Sequence, residues 1–263
     1  VAVNSTKLGL KTGMIGKVGF DDYGWFVVQN FRNCGVNTDH ILVDFKNPTG
    51  VALIIVNGQG IPEFIQMIGA SEPILPKEIQ AEYIQKARHL HMSGTNLEAL
   101  IHASKIAKDS GVTVSFDSGR KKSELGFKKL KPVLENVDTL IINSHEAKVM
   151  LGLEGNAKTL DAAKVMKKKI GKNKTYVIKG GKENIVVCSP NGNFVVPCFK
   201  VAVKDTIGAG DAFDAGFLAA FLRGKSLEDA VMCGAACGSL KCTEEGAQSA
   251  PDKSTLETFL KEN

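Results

Sequence analysis

The sequence lacks the features that would place it in a membrane. Its 263 residues contain no apolar run near the roughly 20 residues that a membrane-spanning helix needs. No N-terminal stretch resembles a secretory signal peptide, although the chain opens at Val1 rather than Met, and we expect the natural start to lie upstream. With 43% hydrophobic and 23% charged residues, the composition predicts an ordinary cytoplasmic globular protein built on one main core.

Closely spaced cysteine pairs are also missing. Six cysteines are scattered along the chain and none forms a C-x-x-C pair, so the sequence predicts neither a zinc ribbon nor a redox motif. Cys233 and Cys237 are four residues apart and would share one helix face, where we favour buried thiols over a metal site. Cysteines of this kind fit a reducing cytoplasm.

Charge of one sign is not concentrated anywhere in the sequence. The net charge is +5, and the densest basic run holds six lysines between residues 164 and 174. These lysines surround Val165, Met166 and Ile170, as the polar side of an amphipathic helix would. We therefore expect no nucleic-acid and no membrane partner, and a structural or nucleic-acid-binding role ranks last among the alternatives.

Short apolar runs typical of buried strands alternate with helical segments in the middle of the chain. The predicted strands are 112–116, 139–142 and 176–178, and the predicted helices are 97–109, 144–151 and 160–170. Residues 190–192, Pro-Asn-Gly, predict a hairpin turn between two further extended runs. Strand–helix alternation predicts an α/β fold with a central, mainly parallel sheet that is covered on both faces.

Residues 36–70 have a different pattern, with three short extended runs that predict a small antiparallel sheet. These runs are 41–45, 51–56 and 64–68. The run 51–56 is apolar on both alternating faces, so something must cover the second face. We predict that residues 1–35 and 71–263 form the core domain. Residues 36–70 would form a β lid that folds over an active site and pairs with a second subunit in a homodimer.

The clearest chemical motif is a glycine-rich turn, Gly208-Ala209-Gly210-Asp211, at the start of a helical run. Glycines leave the amide N–H groups unobstructed and the helix start adds positive potential, so the turn is an anion site. An Asp there can accept the proton of an attacking hydroxyl in phosphoryl transfer, or it can merely cap the helix. No Gly-Lys-Ser/Thr follows, which excludes a P-loop, and the Rossmann glycine pattern is missing too.

Residues 205–218, DTIGAGDAFDAGFL, closely resemble the C-terminal signature of the ribokinase-like (PfkB-type) carbohydrate kinase family. Four further segments resemble family motifs in the family's order, and together they extend over nearly the whole chain. They are residues 8–24, residues 48–50 with 69–71, residues 143–146 (Asn-Ser-His-Glu) and residues 246–248. The resemblance implies the three-layer ribokinase-like fold with a small antiparallel β lid.

By that resemblance the chain is a kinase that transfers the γ-phosphoryl group of ATP to a hydroxyl of a sugar or sugar-like molecule. Asp211 would be the general base, and the amides of Gly208, Ala209 and Gly210 would form the anion hole for the transferred group. A nucleoside kinase of the same family is the alternative acceptor class. A catalytically silent nucleotide-binding regulator is disfavoured, because Asp211 and its turn are intact.

The resemblance also implies which residues hold the nucleotide. Lys179, Gly181 and Thr206 lie in segments where the family contacts ATP. A lysine at the end of a central strand is costly to bury unless it meets an anion. The alternative from residue type alone is a lysine whose stem is buried while its ammonium reaches water.

Metal positions follow from the resemblance in the same way. Asn143 and Glu146 match positions that organise Mg²⁺, with Glu146 acting through water. On residue types alone they are a helix start, with Asn143 as the cap. Backbone carbonyls near Asp205 and Ile207 would hold a monovalent cation, K⁺, as in many relatives.

The chain departs from the family pattern on the substrate side. The family's first strand, with its substrate-binding Asp, belongs before Val1. Gly94 stands where ribokinases proper carry a sugar-binding carboxylate, which argues against ribose as the specific substrate. The segment that contains Arg120 is one residue shorter than in the family, so a role for Arg120 does not follow.

Overall fold

The structure, a computed structural model, describes residues 1–56, 62–71 and 74–263. The strands within these residues are β1 (Gly13–Gly19), β2 (Asn37–Asp44), β3 (Val51–Val56), β4 (Pro62–Met67), β5 (His89–Ser93), β6 (Thr113–Asp117), β7 (Thr139–Asn143), β8 (Thr175–Lys179), β9 (Ile185–Ser189) and β10 (Gly192–Val196). The helices are α1 (Ala2–Lys7), α2 (Asp22–Asn33), α3 (Ala81–Gln85), α4 (Leu97–Asp109), α5 (Gly119–Ser123), α6 (Gly126–Leu134), α7 (Ser144–Leu151), α8 (Thr159–Lys169), α9 (Ala209–Phe221), α10 (Leu227–Cys242) and α11 (Lys253–Glu262).

Six strands form the central sheet in the order β10-β9-β8-β7-β6-β5. Strands β5 to β8 run parallel, and β9 and β10 form an antiparallel hairpin at one side. The predicted mainly parallel sheet and the hairpin around residues 190–192 are therefore confirmed. The predicted helices 97–109 and 144–151 coincide with α4 and α7.

Both faces of this sheet are buried, which explains why its strands are apolar without interruption. On β7, Leu140 and Ile142 belong to the core beneath α4, α6, α7 and α8, whereas Ile141 belongs to the core beneath α9 and α10. All three side chains are at most 2% exposed. A strand covered on both sides needs apolar residues at every position.

Helices α9 and α10 pack closely because Gly216 has no side chain. A Cβ at Gly216 would lie 2.6 Å from the carbonyl oxygen of Cys233 and 2.7 Å from Cβ of Cys237. Cys237 is fully buried in this contact. The close packing fixes the position of α9, and the glycine-rich turn lies at the N-terminal end of this helix.

The expectation that residues 41–45 join an antiparallel lid sheet is wrong. Residues 41–44 lie in β2, which pairs in parallel with β1 in a separate two-stranded sheet. The reason is the intervening helix α2, because a strand–helix–strand crossover returns the chain in the same direction. The antiparallel pair of the predicted lid consists of β3 and β4, in which Leu53 lies opposite Ile65.

The β3–β4 pair exposes large apolar side chains in the described residues. Leu53, Ile65 and Met67 are 56%, 55% and 64% exposed. The predicted lid also includes residues 57–61, which lie outside the described part of the chain. Across the described residues, no helix combines the length and apolar character that crossing a bilayer requires.

Candidate active site

A deep cleft opens where the parallel strands of the central sheet end. It is lined by the carboxyl ends of β5 to β8, the first turn of α9 and the base of the β3–β4 pair. Ligands of open α/β sheets bind at this edge. The cleft volume of ≈ 1560 Å³ exceeds the usual range of about 300–1,000 Å³ for one small ligand, so a nucleotide and a second substrate fit together.

The glycine-rich turn lies in this cleft and has the geometry of an anion site. Gly208 is the N-cap of α9 with φ of 82°, and a Cβ there would lie 2.6 Å from the carbonyl oxygen of Ala247. The amide of Ala209 donates to the Thr206 carbonyl at 3.1 Å. The amides of Gly208 and Gly210 have no acceptor among the described residues. Two of the three predicted donors therefore remain available to a ligand.

Asp211 lines the cleft in the first turn of α9, with a side chain that is 54% exposed. The cap of α9 is Gly208, and within the described residues the Asp211 carboxylate accepts no hydrogen bond from the turn. The capping alternative therefore lacks the hydrogen bond that defines it. An exposed carboxylate beside two available amides is instead placed to take a proton from a bound hydroxyl.

Lys179 meets two carboxylates at the floor of the cleft. Its ammonium lies 2.7 Å from Asp117 Oδ2 at the end of β6 and 3.5 Å from Asp214 Oδ1 on α9. The Lys179 side chain is 13% exposed, so the alternative of an ammonium reaching water is wrong. The ammonium also lies 3.5 Å from the position that a Cβ at Gly210 would occupy, directly beside the anion site.

The three groups of this cluster titrate differently. Burial raises the pKa of Asp214 well above its usual value, since Lys179 offsets burial only in part while Asp117 and Asp211 add negative charge. Burial also opposes ionisation of Asp117, but the charge and hydrogen bond of Lys179 hold that pKa below its usual value. Burial lowers the pKa of Lys179, but Asp214 and Asp117 outweigh it and raise the pKa. Lys179 and Asp117 are therefore an ion pair, and Asp214 is the acid of the cluster whose charged form burial disfavours.

A buried chain of hydrogen bonds links the two histidines of β5 and ends near Asp214. Thr113 donates to a main-chain carbonyl, so it accepts from His89 Nδ1 at 2.8 Å. His89 Nε2 then accepts from Ser115 at 2.7 Å, and Ser115 accepts from His91 Nδ1 at 2.8 Å. His91 is left with an unprotonated Nε2 that lies 3.6 Å from Asp214 Oδ2. Burial lowers the pKa of His91 to about 3 and that of His89 to about 4, which keeps both rings neutral.

Asn143 and Glu146 form a reciprocal cap at the start of α7. Asn143 Oδ1 accepts from the Glu146 amide at 2.9 Å, and Glu146 Oε2 accepts from the Asn143 amide at 3.2 Å. Both residues line the cleft, and burial together with the charge of Asp117 raises the pKa of Glu146. The helix-start interpretation is confirmed. Oxygen groups at this place also fit a hydrated Mg²⁺, which keeps several of its waters in protein sites.

The segment predicted to bind a monovalent cation already holds a charged side chain. Asp205 accepts from the amides of Ile207 and Gly246 at 2.8 and 2.9 Å. The ammonium of Lys241, which is fully buried, donates to the Asp205 carbonyl at 2.7 Å and to the Glu244 carbonyl at 3.2 Å. These residues do not fit an additional K⁺, because Lys241 occupies the centre of the oxygen cluster.

Other predicted positions also lie at the cleft. Thr206, Gly181 and Gly94 line it, and a Cβ at Gly94 would meet nothing within 4 Å. Arg120 lies at the cleft on α5, where its 80% exposed side chain pairs with Glu124 at 3.3 Å.

No motif in the sequence marks Asp117, Asp214, His91 or Lys241 as site residues. A signal for Asp214 was present, because the rest of α9 from Ala212 to Ala220 is buried apolar or glycine residue types. An acid on an otherwise buried helix predicts a buried cation or a raised pKa.

Comparison with known proteins assigns the family. The chain matches the pfkB family carbohydrate kinase over residues 1–254, and it belongs to this family. It is 32% identical over 262 residues to the ATP-dependent ribose-1-phosphate kinase of Halopiger xanaduensis, covering 100% of this chain and 84% of that protein.

Solved structures agree with this assignment. The ribokinase II of E. coli in complex with ATP and Mg²⁺ aligns with a TM-score of 0.87 at 25% identity, over 99% of this chain and 86% of that one. The aminoimidazole riboside kinase of Salmonella enterica aligns with a TM-score of 0.82 at 26% identity, over 98% and 89%. The protein is thus an ATP-dependent sugar or nucleoside kinase with the ribokinase-like fold.

Proposed function

We propose that this kinase phosphorylates a hydroxyl of a sugar phosphate, with Asp211 as the general base. One observation carries the assignment of the base. Asp211 stands in the first turn of α9 without a capping hydrogen bond, beside the available amides of Gly208 and Gly210. This is the arrangement that in-line phosphoryl transfer requires, with a base on the nucleophile side and donors at the transferred group.

The proposed step moves one proton and one phosphoryl group. Asp211 accepts the proton of the acceptor hydroxyl while the oxygen of that hydroxyl forms a bond to the γ-phosphorus of ATP. The bond from that phosphorus to the β–γ bridging oxygen breaks, and its electron pair leaves with ADP. The amides of Gly208 and Gly210 donate to the oxygens of the group in transfer, and the Ala209 amide joins them if its contact to Thr206 opens.

Lys179, Gly181 and Thr206 complete the nucleotide side of the proposal. Lys179 lies beside the anion site, with its ammonium 3.5 Å from the position of a Cβ at Gly210, and would add positive charge there. Gly181 and Thr206 line the cleft where the phosphates of ATP would lie. When bound, Mg²⁺ neutralises charge on those phosphates, and Asn143 and Glu146 would hold its waters.

A sugar phosphate is the acceptor that best fits the charge at the cleft. Arg120, Lys121 and Lys122 are consecutive on α5 and all line the cleft. The Arg120–Glu124 pair is exposed and therefore weak, so an anionic group can replace Glu124. Open space beside Gly94 leaves room for a sugar ring. The name of the Halopiger relative, a ribose-1-phosphate kinase, supports the same class.

The lid and the homodimer belong to the same proposal. Residues 36–70 would act as the lid that excludes water from the closed site, with β3 and β4 as its moving sheet. A two-stranded sheet alone is marginally stable, and the exposed Leu53 and Ile65 offer an apolar surface to a second copy. All six cysteines are free, which fits a reducing cytoplasm that also supplies ATP.

An assay of ADP release would test the acceptor class directly. Ribose 1-phosphate, ribose and a nucleoside would be compared as acceptors with ATP and Mg²⁺. We expect the highest kcat/KM for ribose 1-phosphate. A preference for the nucleoside would overturn the acceptor class but leave the kinase chemistry intact.

A pair of substitutions tests the base. Asp211→Asn removes the proton acceptor but not the shape of the side chain, so kcat should fall by roughly 10²- to 10⁴-fold while ATP binding measured by calorimetry persists. Asp229→Asn is the matched control, because Asp229 also stands in the first turn of a helix, α10, outside the cleft. Near-normal turnover of Asp211→Asn would contradict the mechanism.

A further inference from the structure

Lys241 is a buried charged residue that the proposed reaction does not use directly. It lies in the last turn of α10 and its side chain is 0% exposed. Lysine is almost never fully buried, because removing an ammonium from water is expensive unless its donors meet acceptors. Some feature of its surroundings must therefore offset this penalty.

The surroundings of Lys241 are a cage of oxygen atoms. Its ammonium lies 2.7 Å from the Asp205 carbonyl, 3.2 Å from Asp205 Oδ2 and 3.2 Å from the Glu244 carbonyl. Three oxygens match the three N–H donors of an ammonium. Converging main-chain carbonyls with a carboxylate are also the ligands that bind a monovalent metal cation.

This cage joins the parts of the chain that support the anion site. Asp205 accepts from the amides of Ile207 and Gly246, which ties the segment before Gly208 to the loop after α10. Gly208 then packs against Ala247 of that loop, so closely that a Cβ would lie 2.6 Å from the Ala247 carbonyl oxygen. A positive charge at the centre of the cage therefore fixes the backbone from which the Gly208 and Gly210 amides point.

We propose that the ammonium of Lys241 is a built-in monovalent cation, which positions the Gly208–Asp211 turn and makes this kinase independent of K⁺. The proposal rests on the proposed role of that turn. A cation attached to the protein is present at every salt concentration, whereas a free ion binds only according to its concentration. Lys241 is a positioning residue, since it acts on the reaction through Asp205 and the turn.

Removing the side chain should make the enzyme dependent on K⁺. The activities of the wild type and of Lys241→Ala would be compared at equal ionic strength in potassium chloride, sodium chloride and tetramethylammonium chloride. We expect equal wild-type activity in all three salts. Lys241→Ala should lose roughly 10²-fold in kcat in tetramethylammonium chloride and recover most of it in potassium chloride, since the ion enters the vacated cage.

Thermal unfolding supplies a readout that does not depend on turnover. Potassium chloride should raise the Tm of Lys241→Ala above its value in tetramethylammonium chloride, because a ligand that binds only the folded state stabilises it. The wild type should show no such difference. Lys241→Met, which fills the space without charge, should be impaired and insensitive to K⁺. Lys253→Ala, at an exposed position on α11, is the control and should match the wild type.

The failure of this proposal is distinguishable from failure of the proposed function. Activation of the wild type by K⁺ would overturn it, and so would a Lys241→Ala variant that is fully active without K⁺ or that K⁺ does not restore. If Lys241→Ala does not fold in any salt, Lys241→Gln decides. A Lys241→Gln variant that folds normally but loses kcat would support the need for a positive charge. A fully active Lys241→Gln variant would overturn the proposal. None of these outcomes bears on which acceptor the wild type prefers.

Discussion

The ammonium of Lys179 lies 2.7 Å from Asp117 Oδ2, although the strands that carry them, β8 and β6, are separated by β7. Two strand spacings amount to about 10 Å, so the contact depends on the length of the lysine side chain. This ion pair lies at the carboxyl ends of the strands, next to the anion site. Asp214 approaches the same ammonium from α9 at 3.5 Å, but burial raises its pKa well above the usual value, so the two carboxyl groups beside Lys179 differ in how readily they ionise.

The two acids should therefore respond differently to replacement by the neutral amide. Asp117→Asn removes the counterion of a buried ammonium, so the free energy of unfolding should fall by roughly 3 kcal/mol. Lys179 should also shift, which would lower kcat by about 10²-fold. Asp214 is an acid whose pKa burial raises, so its exchange for the neutral amide of Asn, which can donate to His91, should leave both quantities near wild type. Urea unfolding and the ADP-release assay measure the two effects.

This comparison carries its own control, because both variants exchange a carboxyl for an amide within the same cluster. Equal losses in the two variants would show that Asp214 is ionised and shares the role of counterion. A harmless Asp117→Asn together with a damaging Asp214→Asn would reverse the assignment.

A pair of glycine substitutions separates backbone strain from crowding at the anion site. Gly208 and Gly224 have nearly equal φ values, 82° and 79°, but a Cβ at Gly224 meets nothing within 4 Å. Each Gly→Ala substitution should cost about 1–2 kcal/mol for the left-handed conformation. Only Gly208→Ala also collides with Ala247, so only it should displace the turn and lower kcat, by about 10²-fold. Equal kcat values in the two variants would show that the turn tolerates displacement.

Local patterns were enough to predict most of the central sheet and the glycine-rich turn. Strand β7 was recognisable because burial on both faces requires an unbroken apolar run, and α7 because Asn143 and Glu146 are spaced as a reciprocal cap. The parallel pairing of β2 with β1 was missed because α2 was not recognised between them. Burial in α2 does not follow residue type, because Gly24 is its one buried residue among those described while Trp25 and Phe26 are 68% and 66% exposed.

The electrostatic floor of the site could not be predicted from spacing along the chain. Lys179, Asp117, Asp214 and His91 come from four separate elements, and only the folded sheet brings them together. The same holds for Lys241, whose partner Asp205 lies 36 residues away. In each case a charged residue within an apolar segment was visible, but the identity of its partner required the structure.

Acidification should destabilise the fold through His89. Burial lowers the pKa of His89 in the folded state to about 4, below the 6.5 of an ordinary histidine. The unfolded state therefore binds a proton first, so stability is lost as the pH falls from 6.5 and the loss levels off near 4. Over this window the difference in free energy of unfolding between the wild type and His89→Gln should change by about 1.4 kcal/mol per pH unit.

The raised pKa values of Asp214 and Glu146 act in the opposite direction, but both groups are present in both proteins and should largely cancel in the difference. Urea unfolding at a series of pH values provides the measurement. His145→Gln is the control, because His145 is exposed on α7. Parallel curves for the wild type and His89→Gln would contradict the assignment of a neutral, buried His89.

The proposed dimer can be tested without disrupting the lid itself. Leu53 and Ile65 lie directly opposite each other in the β3–β4 pair, are more than half exposed and do not line the cleft. Replacing them together by Glu and Lys places an opposite-charge pair across the strands, which supports the sheet but makes this exposed patch polar. Light scattering over a dilution series should show a wild-type dimer and a monomeric double variant. Leu160→Lys, which changes an exposed apolar residue on α8, should remain dimeric. A monomeric wild type at micromolar concentration would refute the dimer, and a double variant that stays dimeric would place the interface elsewhere.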